Sequence, residues 1–366
     1  MPRATSDSRP WPRGGNLAVC TNCGAIQKFA DAKWIEEADK IYSTYEIYHQ
    51  SGGSEHLIFS QGGAPKTRSQ KLLDYVVSHA KLPDRGKLLD IGCGNGATLR
   101  SFSEILPAWD LYGNELSTAT LADLEKIAKF NRLFVGPLRD IHEQFSLISL
   151  VHTLEHVPSP HDTLLESSAI LDDDGFLFVQ VPDVETSPFD LLVADHFMHF
   201  SQTSLGYVAA RSGLRVAAMS NGVTFKEITM LAGRGDAGDA LGQGDPERGL
   251  RVVTAAVKWL EEVVSMAERA AASGPIGIFG TAIAAMALYG ALKDRVTFFV
   301  DEDPNRIGRH YDGKPIFAPD KAPKNVPVFM ALPFRSAEMI AQRCRRDGLT
   351  CVVPPDPETI GAAAHA

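Results

Sequence analysis

Beyond about residue 70, short apolar runs alternate with stretches whose apolar residues recur at helical spacing. The first stretch, "SQKLLDYVVSHAKL", has helical spacing, and the "GKLLDIG" that follows is a continuous apolar run of strand length. The same alternation continues, with strands predicted at "LYGNEL", "NRLFVG", "FSLISLVHTL" and "GFLFVQVP" and helices at "TATLADLEKIAKF" and "HDTLLESSAIL". Wholly apolar strands separated by helices are typical of a parallel sheet covered on both faces. The pattern predicts a doubly wound α/β fold.

The predicted sheet ends in a different pattern. In "LRVAAMSNGVTFKEITMLAG", the pair Asn221-Gly222 separates two strand-like runs, which predicts an antiparallel hairpin at the sheet end. A Gly- and Asp-rich stretch then interrupts the periodicity, and a long helix leads into a second alternating unit that begins at "PIGIFG". We therefore expect an N-terminal module (1–69), a central sheet domain (70–235) and a smaller, Rossmann-like α/β C-terminal domain (236–366).

The N-terminal region shows no such periodicity. Its first 16 residues have the composition of a flexible lead-in, and Cys20 and Cys23 follow as a C-x-x-C pair. Two thiolates at this spacing make half of a tetrahedral zinc site, which needs four ligands. His49 or His56 could contribute further ligands, so a zinc ion here stays an open expectation.

Composition narrows the class of protein. The net charge is -9, and we see no dense basic segment, which argues against a nucleic-acid partner. No apolar run reaches membrane-spanning length, so no membrane association is expected. Five cysteines in 366 residues do not resemble a disulfide framework, and we expect a reducing, cytoplasmic setting.

The stretch "LLDIGCGNGATL" is the most specific motif. A strand ends at Asp90 and a turn with alternating glycines follows, where side chains would keep a ligand away from the backbone. It resembles motif I of class I S-adenosylmethionine-dependent methyltransferases, which implies their seven-stranded sheet and their cofactor. The cofactor-binding residues implied by the resemblance are Asp90, Gly92, Cys93, Gly94, Asn95, Gly96, Glu115, Leu116, His152 and Glu155.

Two further positions fit this resemblance. Glu115 ends the next predicted strand, and a carboxylate there can accept hydrogen bonds from both ribose hydroxyls of the cofactor. The stretch after the fourth strand, "VHTLEHVPSP", resembles the "LEHV" of many small-molecule methyltransferases. In that family His152 and Glu155 would line the mouth of the cofactor site.

The order of segments gives a narrower resemblance. A C-x-x-C module, a methyltransferase core and a C-terminal unit with "GIFGTAIAAMALYGAL" and "FFVDEDPNRIGRHYDGKPIFAP" together resemble sugar C-methyltransferases that act on nucleotide-linked keto-sugars. That family has two C-x-x-C pairs in a zinc-binding module, whereas this sequence has one. The resemblance implies a nucleotide-linked sugar as the small-molecule partner.

The same resemblance assigns roles near the segment "ADHFMHFS". Methylation of carbon needs an enolate, and a histidine can remove the proton near neutral pH. By the resemblance His196 is the base and Asp195 orients it, while Tyr45 or Tyr48 supplies a catalytic hydroxyl. His199 has no assigned role, and a His-x-x-His pair without a third ligand is a weak metal signal.

Three hypotheses follow for the function. The first is a methyltransferase that uses S-adenosylmethionine to methylate a carbon of a nucleotide-linked keto-sugar. The second is an O- or N-methyltransferase for a sugar or another small metabolite. The third is a binding protein that keeps the fold without transfer, and the combination of Asp90, the glycine turn and Glu115 weighs against it.

Overall fold

The computed structural model of the chain describes residues 1–45, 57–58, 66–235 and 243–358. The α-helices in these ranges are α1 Ala32–Tyr42, α2 Arg68–His79, α3 Ala97–Ile105, α4 Leu121–Leu124, α5 Pro160–Ala169, α6 Gln202–Arg211, α7 Pro246–Ala272, α8 Ile283–Leu292 and α9 Phe334–Arg346. Short 3-10 helices lie at Leu138–Asp140, Leu154–His156, Pro188–Leu192, Lys293–Arg295 and Pro319–Lys321.

The strands fall into groups that follow the chain. The N-terminal ones are β1 Arg3–Ala4, β2 Pro10–Trp11, β3 Ala18–Val19, β4 Ile26–Gln27, β5 Leu57–Ile58 and β6 Lys66–Thr67. The middle ones are β7 Lys87–Ile91, β8 Asp110–Glu115, β9 Phe130–Val135, β10 Phe145–Val151, β11 Leu171–Pro182, β12 Met198–His199, β13 Leu214–Ser220 and β14 Glu227–Arg234. The last ones are β15 Ile276–Phe279, β16 Val296–Val300, β17 His310–Tyr311, β18 Lys314–Phe317, β19 Val328–Met330 and β20 Cys351–Val352.

The central sheet has seven strands in the order β13-β14-β11-β10-β7-β8-β9. The five strands from β11 to β9 run parallel, and β13 and β14 add an antiparallel pair at one edge. Strand β7 lies near the middle of the sheet. Leu88 and Leu89 point to its opposite faces, and both side chains are fully buried. The predicted α/β sheet with its end hairpin is confirmed, although residues 221–226 make a six-residue connection and not a two-residue turn.

One predicted helix is much shorter than its sequence pattern suggests. The stretch "TATLADLEKIAKF" contains only the four-residue α4 and then turns, and Lys129 has a φ of 66° where the chain enters β9. Leu124 and Ile127 are buried, and a Cβ atom on Gly96 would lie within 2.7 Å of both. Packing over the glycine turn has therefore outweighed helical propensity.

The N-terminal residues are ordered by contacts with later parts of the chain, so the prediction of a flexible lead-in is wrong for residues 1–11. Strands β1 and β2 pair with each other and contact α8, and Ala4 forms a bridge with Val193. Strands β3 and β4 form a small sheet with β12, in which Ile26 pairs with His199. The beginning of the chain thus lies against the segment that carries the histidines.

A second sheet follows the 27-residue helix α7. Its order is β17-β18-β16-β15-β19-β20, and all neighbouring strands are parallel except β17 and β18. Ala4, Val263, Ile278 and Met286 belong to one buried apolar cluster that joins β1, α7, β15 and α8. No helix in the described ranges combines the length and apolar character needed to cross a membrane.

Candidate functional site

The carboxyl ends of the parallel strands β7, β8 and β10 open into one cavity of about 1510 Å³. The loops that follow these strands form its walls, as is usual for open parallel sheets. Sequence-predicted residues that line it are Tyr45, Gly92, Cys93, Gly94, Asn95, Glu115, Leu116, His152, Glu155 and His196. Asp90, Gly96 and Asp195 lie outside the lining, and Tyr48 lies outside the described residues.

The glycine turn holds its backbone open to the cavity. Gly92 has a φ of 70°, and a Cβ atom there would lie 2.4 Å from Thr153 Oγ1. The Gly94 N–H donates to Glu115 Oε1 at 2.7 Å, and the Leu116 N–H donates to Glu115 Oε2 at 3.0 Å. Leu116 itself is 82% exposed, so an apolar side chain lies beside a carboxylate at the cavity wall.

Asp90 lies behind the turn. Its side chain is 2% exposed, and Ser149 Oγ donates to Asp90 Oδ1 at 2.7 Å. Burial, with the nearby charge of Glu115, raises the pKa of Asp90 to about 7 despite this hydrogen bond. Asp90 is therefore placed to support the turn and not to contact a ligand in the cavity.

His152 follows β10 and lies between two carboxylates. Its Nδ1 atom is 3.1 Å from Glu155 Oε1, and its Nε2 atom is 3.1 Å from Glu227 Oε1. Burial alone would lower the pKa of His152, but the charges of Glu227 and Glu155 outweigh it and raise the pKa to about 9. The φ of His152 is 53°, an uncommon value for a residue with a side chain.

The carboxylate that contacts His196 is Asp190 and not Asp195, so the predicted pairing is wrong. Asp190 Oδ1 is 2.7 Å from His196 Nδ1, and Asp190 Oδ2 is 2.6 Å from His199 Nδ1. His199, to which the sequence assigned no role, is thus held by the same buried carboxylate as His196. The single acid in the apolar run "SPFDLLV" was the sequence signal that could have pointed to Asp190.

Asp195 is turned toward the N-terminal segment instead. The Ser6 N–H donates to Asp195 Oδ1 at 2.9 Å, and Ser6 Oγ donates to Asp195 Oδ2 at 2.5 Å. Asp195 Oδ2 also lies 3.5 Å from His156 Nδ1. Ser6 lines the cavity, so the beginning of the chain contributes to the site.

His156 lies next to His196, which in turn lies near His199, and the three form a histidine cluster. His156 was not among the predicted site residues. Its Nδ1 atom lies 3.0 Å from the Tyr42 hydroxyl and 3.1 Å from the Asp195 backbone oxygen. The rings of His156 and His196 meet at 88° with their centres 4.7 Å apart. Tyr45 lines the cavity, but its ring packs on Tyr42, whose hydroxyl is the one that reaches the cluster.

The two N-terminal cysteines lie in the turn between β3 and β4. The Gly24 N–H donates to the Cys20 carbonyl at 2.9 Å, and the Cys20 N–H donates to the Ala25 carbonyl at 2.9 Å. Within the described ranges, no group of three or more potential metal ligands includes Cys20 or Cys23. His49 and His56, the further candidates from the sequence, lie outside those ranges.

The C-terminal unit supplies the wall opposite the sheet. Gly280 and Ala282, at the N-terminus of α8, line the cavity together with Arg306 and Lys226. Arg306 Nη1 donates to Thr281 Oγ1 at 2.8 Å, which holds the guanidinium near that helix end. Arg306 Nη1 also lies 3.2 Å from Asp301 Oδ2, and Asp301, Glu302 and Asp303 line the same cavity, so this side carries charges of both signs.

Comparisons with known proteins agree on a methyltransferase fold. Residues 66–218 match the family model described as a methyltransferase domain. The C-methyltransferase NovU of Streptomyces niveus is 27% identical over 213 residues, which covers 55% of this chain and 46% of NovU. A ubiquinone biosynthesis O-methyltransferase of Chromobacterium violaceum is 23% identical over 180 residues, which covers 43% of this chain and 76% of that protein.

A solved S-adenosylmethionine-dependent methyltransferase of Clostridium acetobutylicum also matches, with a TM-score of 0.39, 13% identity, and coverage of 56% of this chain and 98% of that one. The family match covers the glycine turn and the five parallel strands of the central sheet, and it ends within β13, before β14. Residues 66–218 of the chain therefore carry a methyltransferase domain. The chain spans about half the length of NovU, so that relative's name does not by itself give this protein's acceptor.

Proposed function

We propose that the protein transfers a methyl group from S-adenosylmethionine to a carbon of a nucleotide-linked keto-sugar. The observation that carries the proposal is that the glycine turn, His156 and His196 line one shared cavity of about 1510 Å³. Pockets for one small molecule commonly have about 300–1,000 Å³. The larger volume supports the binding of a cofactor and a second molecule together.

The cofactor fits the end of the cavity near the glycine turn. Glu115 keeps lone pairs that can accept hydrogen bonds from two ribose hydroxyls, while Leu116 offers an apolar surface to an adenine ring. The turn at Gly92 and Gly94 leaves backbone accessible to the methionine part of the molecule. When bound, the cofactor supplies an electrophilic methyl group on a sulfonium.

The acceptor fits the remaining walls. Lys226 and the backbone N–H groups at the N-terminus of α8 can hold the phosphates of a nucleotide, with the sugar between them and the histidines. We assign removal of the proton beside the ketone to His196 and the part of the cavity that adjoins its Nε2 atom. The name of NovU, a C-methyltransferase, supports carbon as the methylated atom.

Methylation of oxygen in a small metabolite is the second candidate function. The similarity to ubiquinone biosynthesis O-methyltransferases favours it, since two of them are 23% and 30% identical over 180 and 118 residues. An oxygen acceptor also loses a proton and can use the same cluster. The two candidates differ in the atom that receives the methyl group.

The test begins with calorimetric titration of the protein with S-adenosylmethionine. We expect saturable binding, and no binding at millimolar concentration would contradict both candidates. The protein is then incubated with nucleotide-linked keto-sugars in D₂O without cofactor, where an enolate exchanges the proton beside the ketone. With ¹³C-methyl cofactor, the chemical shift of the transferred carbon distinguishes a C-methyl from an O-methyl product, and an O-methyl product would overturn the first proposal.

Substitution of His196 locates the deprotonation. His196→Gln is expected to slow the D₂O exchange by about 100- to 10,000-fold while leaving cofactor affinity unchanged, because removal of a proton-transfer group has this scale of effect. His79→Gln, which changes an exposed histidine that does not line the cavity, serves as the control. Exchange at the wild-type rate in His196→Gln would contradict the assignment.

A further inference from the structure

Glu155, His156 and His196 each bring one ligand atom to the cavity wall, and the three atoms lie within 4.8 Å of one another. They come from two segments, the 3-10 helix after β10 and the loop before β12. Two imidazole nitrogens and a carboxylate oxygen suit zinc, iron(II) and other divalent first-row metals. We propose that these three residues bind one divalent transition-metal cation.

The orientation of both rings supports this site. The Nδ1 atom of His196 is held by Asp190, and the Nδ1 atom of His156 lies near the Tyr42 hydroxyl and the Asp195 carbonyl. Metal-binding histidines usually donate one ring N–H to such a partner, which leaves the other nitrogen for the metal. Among the described residues, neither Nε2 atom takes part in a hydrogen bond. Both Nε2 atoms are therefore available as ligands.

The state of Glu155 is an independent indication. Its side chain is 1% exposed, and Oε1 lies 3.1 Å from His152 Nδ1. The other oxygen, Oε2, is buried and has no hydrogen-bond partner among the described residues. A buried acceptor without a partner costs about 1–3 kcal/mol, and more when it is charged. A cation bound to Oε2 would remove this cost.

The charge around the cluster also favours a cation. The carboxylates of Glu155, Asp190 and Asp195 all lie within 4 Å of a histidine of the cluster or of its neighbour His152. Lys28 is buried behind them, but its ammonium donates to the carbonyls of Val193 and Ala194 and not to a carboxylate. Asp190 lies on the Nδ1 side of the His196 ring, and with Glu155 and Asp195 it places negative charge close to the cluster, which favours a cation there.

The role of the cation rests on the proposed function. Three protein ligands leave two positions open on a five-coordinate cation, which can then hold the ketone oxygen of the acceptor and a hydroxide. The C–H bond beside the ketone breaks, the proton joins the hydroxide to give water, and the electron pair forms the enolate. The enolate carbon then bonds to the methyl carbon as the S–CH₃ bond breaks. His196 acts in this scheme through the metal that its Nε2 atom holds.

Binding of Co²⁺ tests the site directly. The full chain is stripped with a chelator and titrated with CoCl₂ and, separately, ZnCl₂ by calorimetry and visible absorption. We expect one equivalent of cobalt with absorption bands typical of nitrogen and oxygen ligands. Glu155→Gln and His196→Gln should weaken binding by about 100-fold or more, since even outer-shell changes cost about 10- to 100-fold.

Two control variants exclude the other places where metal could bind. His199→Gln removes the histidine on the other side of Asp190 and should change affinity by less than about tenfold, the low end expected of an outer-shell change. The double variant Cys20→Ser/Cys23→Ser should still bind one equivalent of cobalt in the cavity. Binding that is lost in the cysteine variant, or unchanged in Glu155→Gln and His196→Gln, would overturn the proposal.

The metal titration and the test of the proposed function can fail independently of each other. Titration of the chelator-stripped protein with S-adenosylmethionine reports the cofactor end alone and also shows that each variant is folded. Cobalt binding without cofactor binding would remove the proposed methyl transfer and keep the metal site. Cofactor binding without any cobalt or zinc binding would remove the metal site and keep the proposed function.

Discussion

The glycine-turn end of the cavity and its histidine end differ in how their residues are distributed along the chain. At the first end, Gly92–Gly96 and Glu115 come from two neighbouring strands and the turns that follow them. At the second end, Ser6, Tyr42 and His196 meet from segments up to 190 positions apart in the numbering. Local backbone geometry builds the first end, whereas the second exists only after distant segments have packed together.

The glycine turn gives the largest expected effect. Gly92→Ala places a Cβ atom 2.4 Å from Thr153 Oγ1 at a φ of 70°, so the turn must move. A shift of the backbone that lines the cavity should weaken S-adenosylmethionine binding by about 100-fold or more, the equivalent of about 3 kcal/mol. Calorimetric titration measures the change.

The same variant also tests whether the two ends are independent. Cobalt affinity of Gly92→Ala should fall by less than about tenfold, because the displaced Thr153 immediately precedes the 3-10 helix that carries Glu155 and His156 but is not itself a ligand. An unchanged cofactor affinity would contradict the assignment of the turn. A parallel loss of cobalt affinity would mean that the ends are coupled.

The second-largest effect should separate Glu115 from Asp90, the two acidic residues that the sequence predicted to bind the cofactor. Glu115→Gln should weaken cofactor binding by about 10- to 100-fold, because one charge-assisted acceptor is worth about 1.5–3 kcal/mol. Asp90→Asn should change it by less than about threefold, since Asp90 lies outside the cavity and its Asn replacement can still accept from Ser149. Equal losses in the two variants would contradict the separate positions of these carboxylates.

The contrast between the ends also explains which features could be predicted from the sequence. The sheet, its edge hairpin and the glycine turn could be predicted, because hydrophobic periodicity and local residue spacing are visible in the sequence. The pairing of His196 with Asp190 does not, because the adjacent Asp195 is drawn away by hydrogen bonds from Ser6, almost 190 positions earlier. His156 belongs to the motif "LEHV", but its contact with His196 depends on tertiary packing and could not be predicted from that motif.

The two candidate metal sites show the same limit. Cys20 and Cys23 have a spacing that indicates metal, yet in the described ranges no third ligand joins them. Glu155, His156 and His196 have no such spacing, since His196 lies 40 positions after His156, and the three residues converge only in the fold. A motif search finds ligands that are near in sequence, and here the more complete set is near only in space.

The smallest expected effect concerns the N-terminal contribution to the histidine end. Ser6→Ala removes the hydroxyl that donates to Asp195 Oδ2 and keeps the Ser6 N–H that donates to Oδ1. Loss of one hydrogen bond to a buried carboxylate should cost about 1–2 kcal/mol and lower the melting temperature by a few degrees. Differential scanning calorimetry measures the shift. Ser78→Ala, which removes an exposed hydroxyl bonded to the Tyr75 carbonyl, should stay within about 0.5 kcal/mol. If the two variants melt together, the Ser6 hydroxyl does not contribute to holding Asp195, and only the backbone N–H of Ser6 can link the beginning of the chain to that carboxylate.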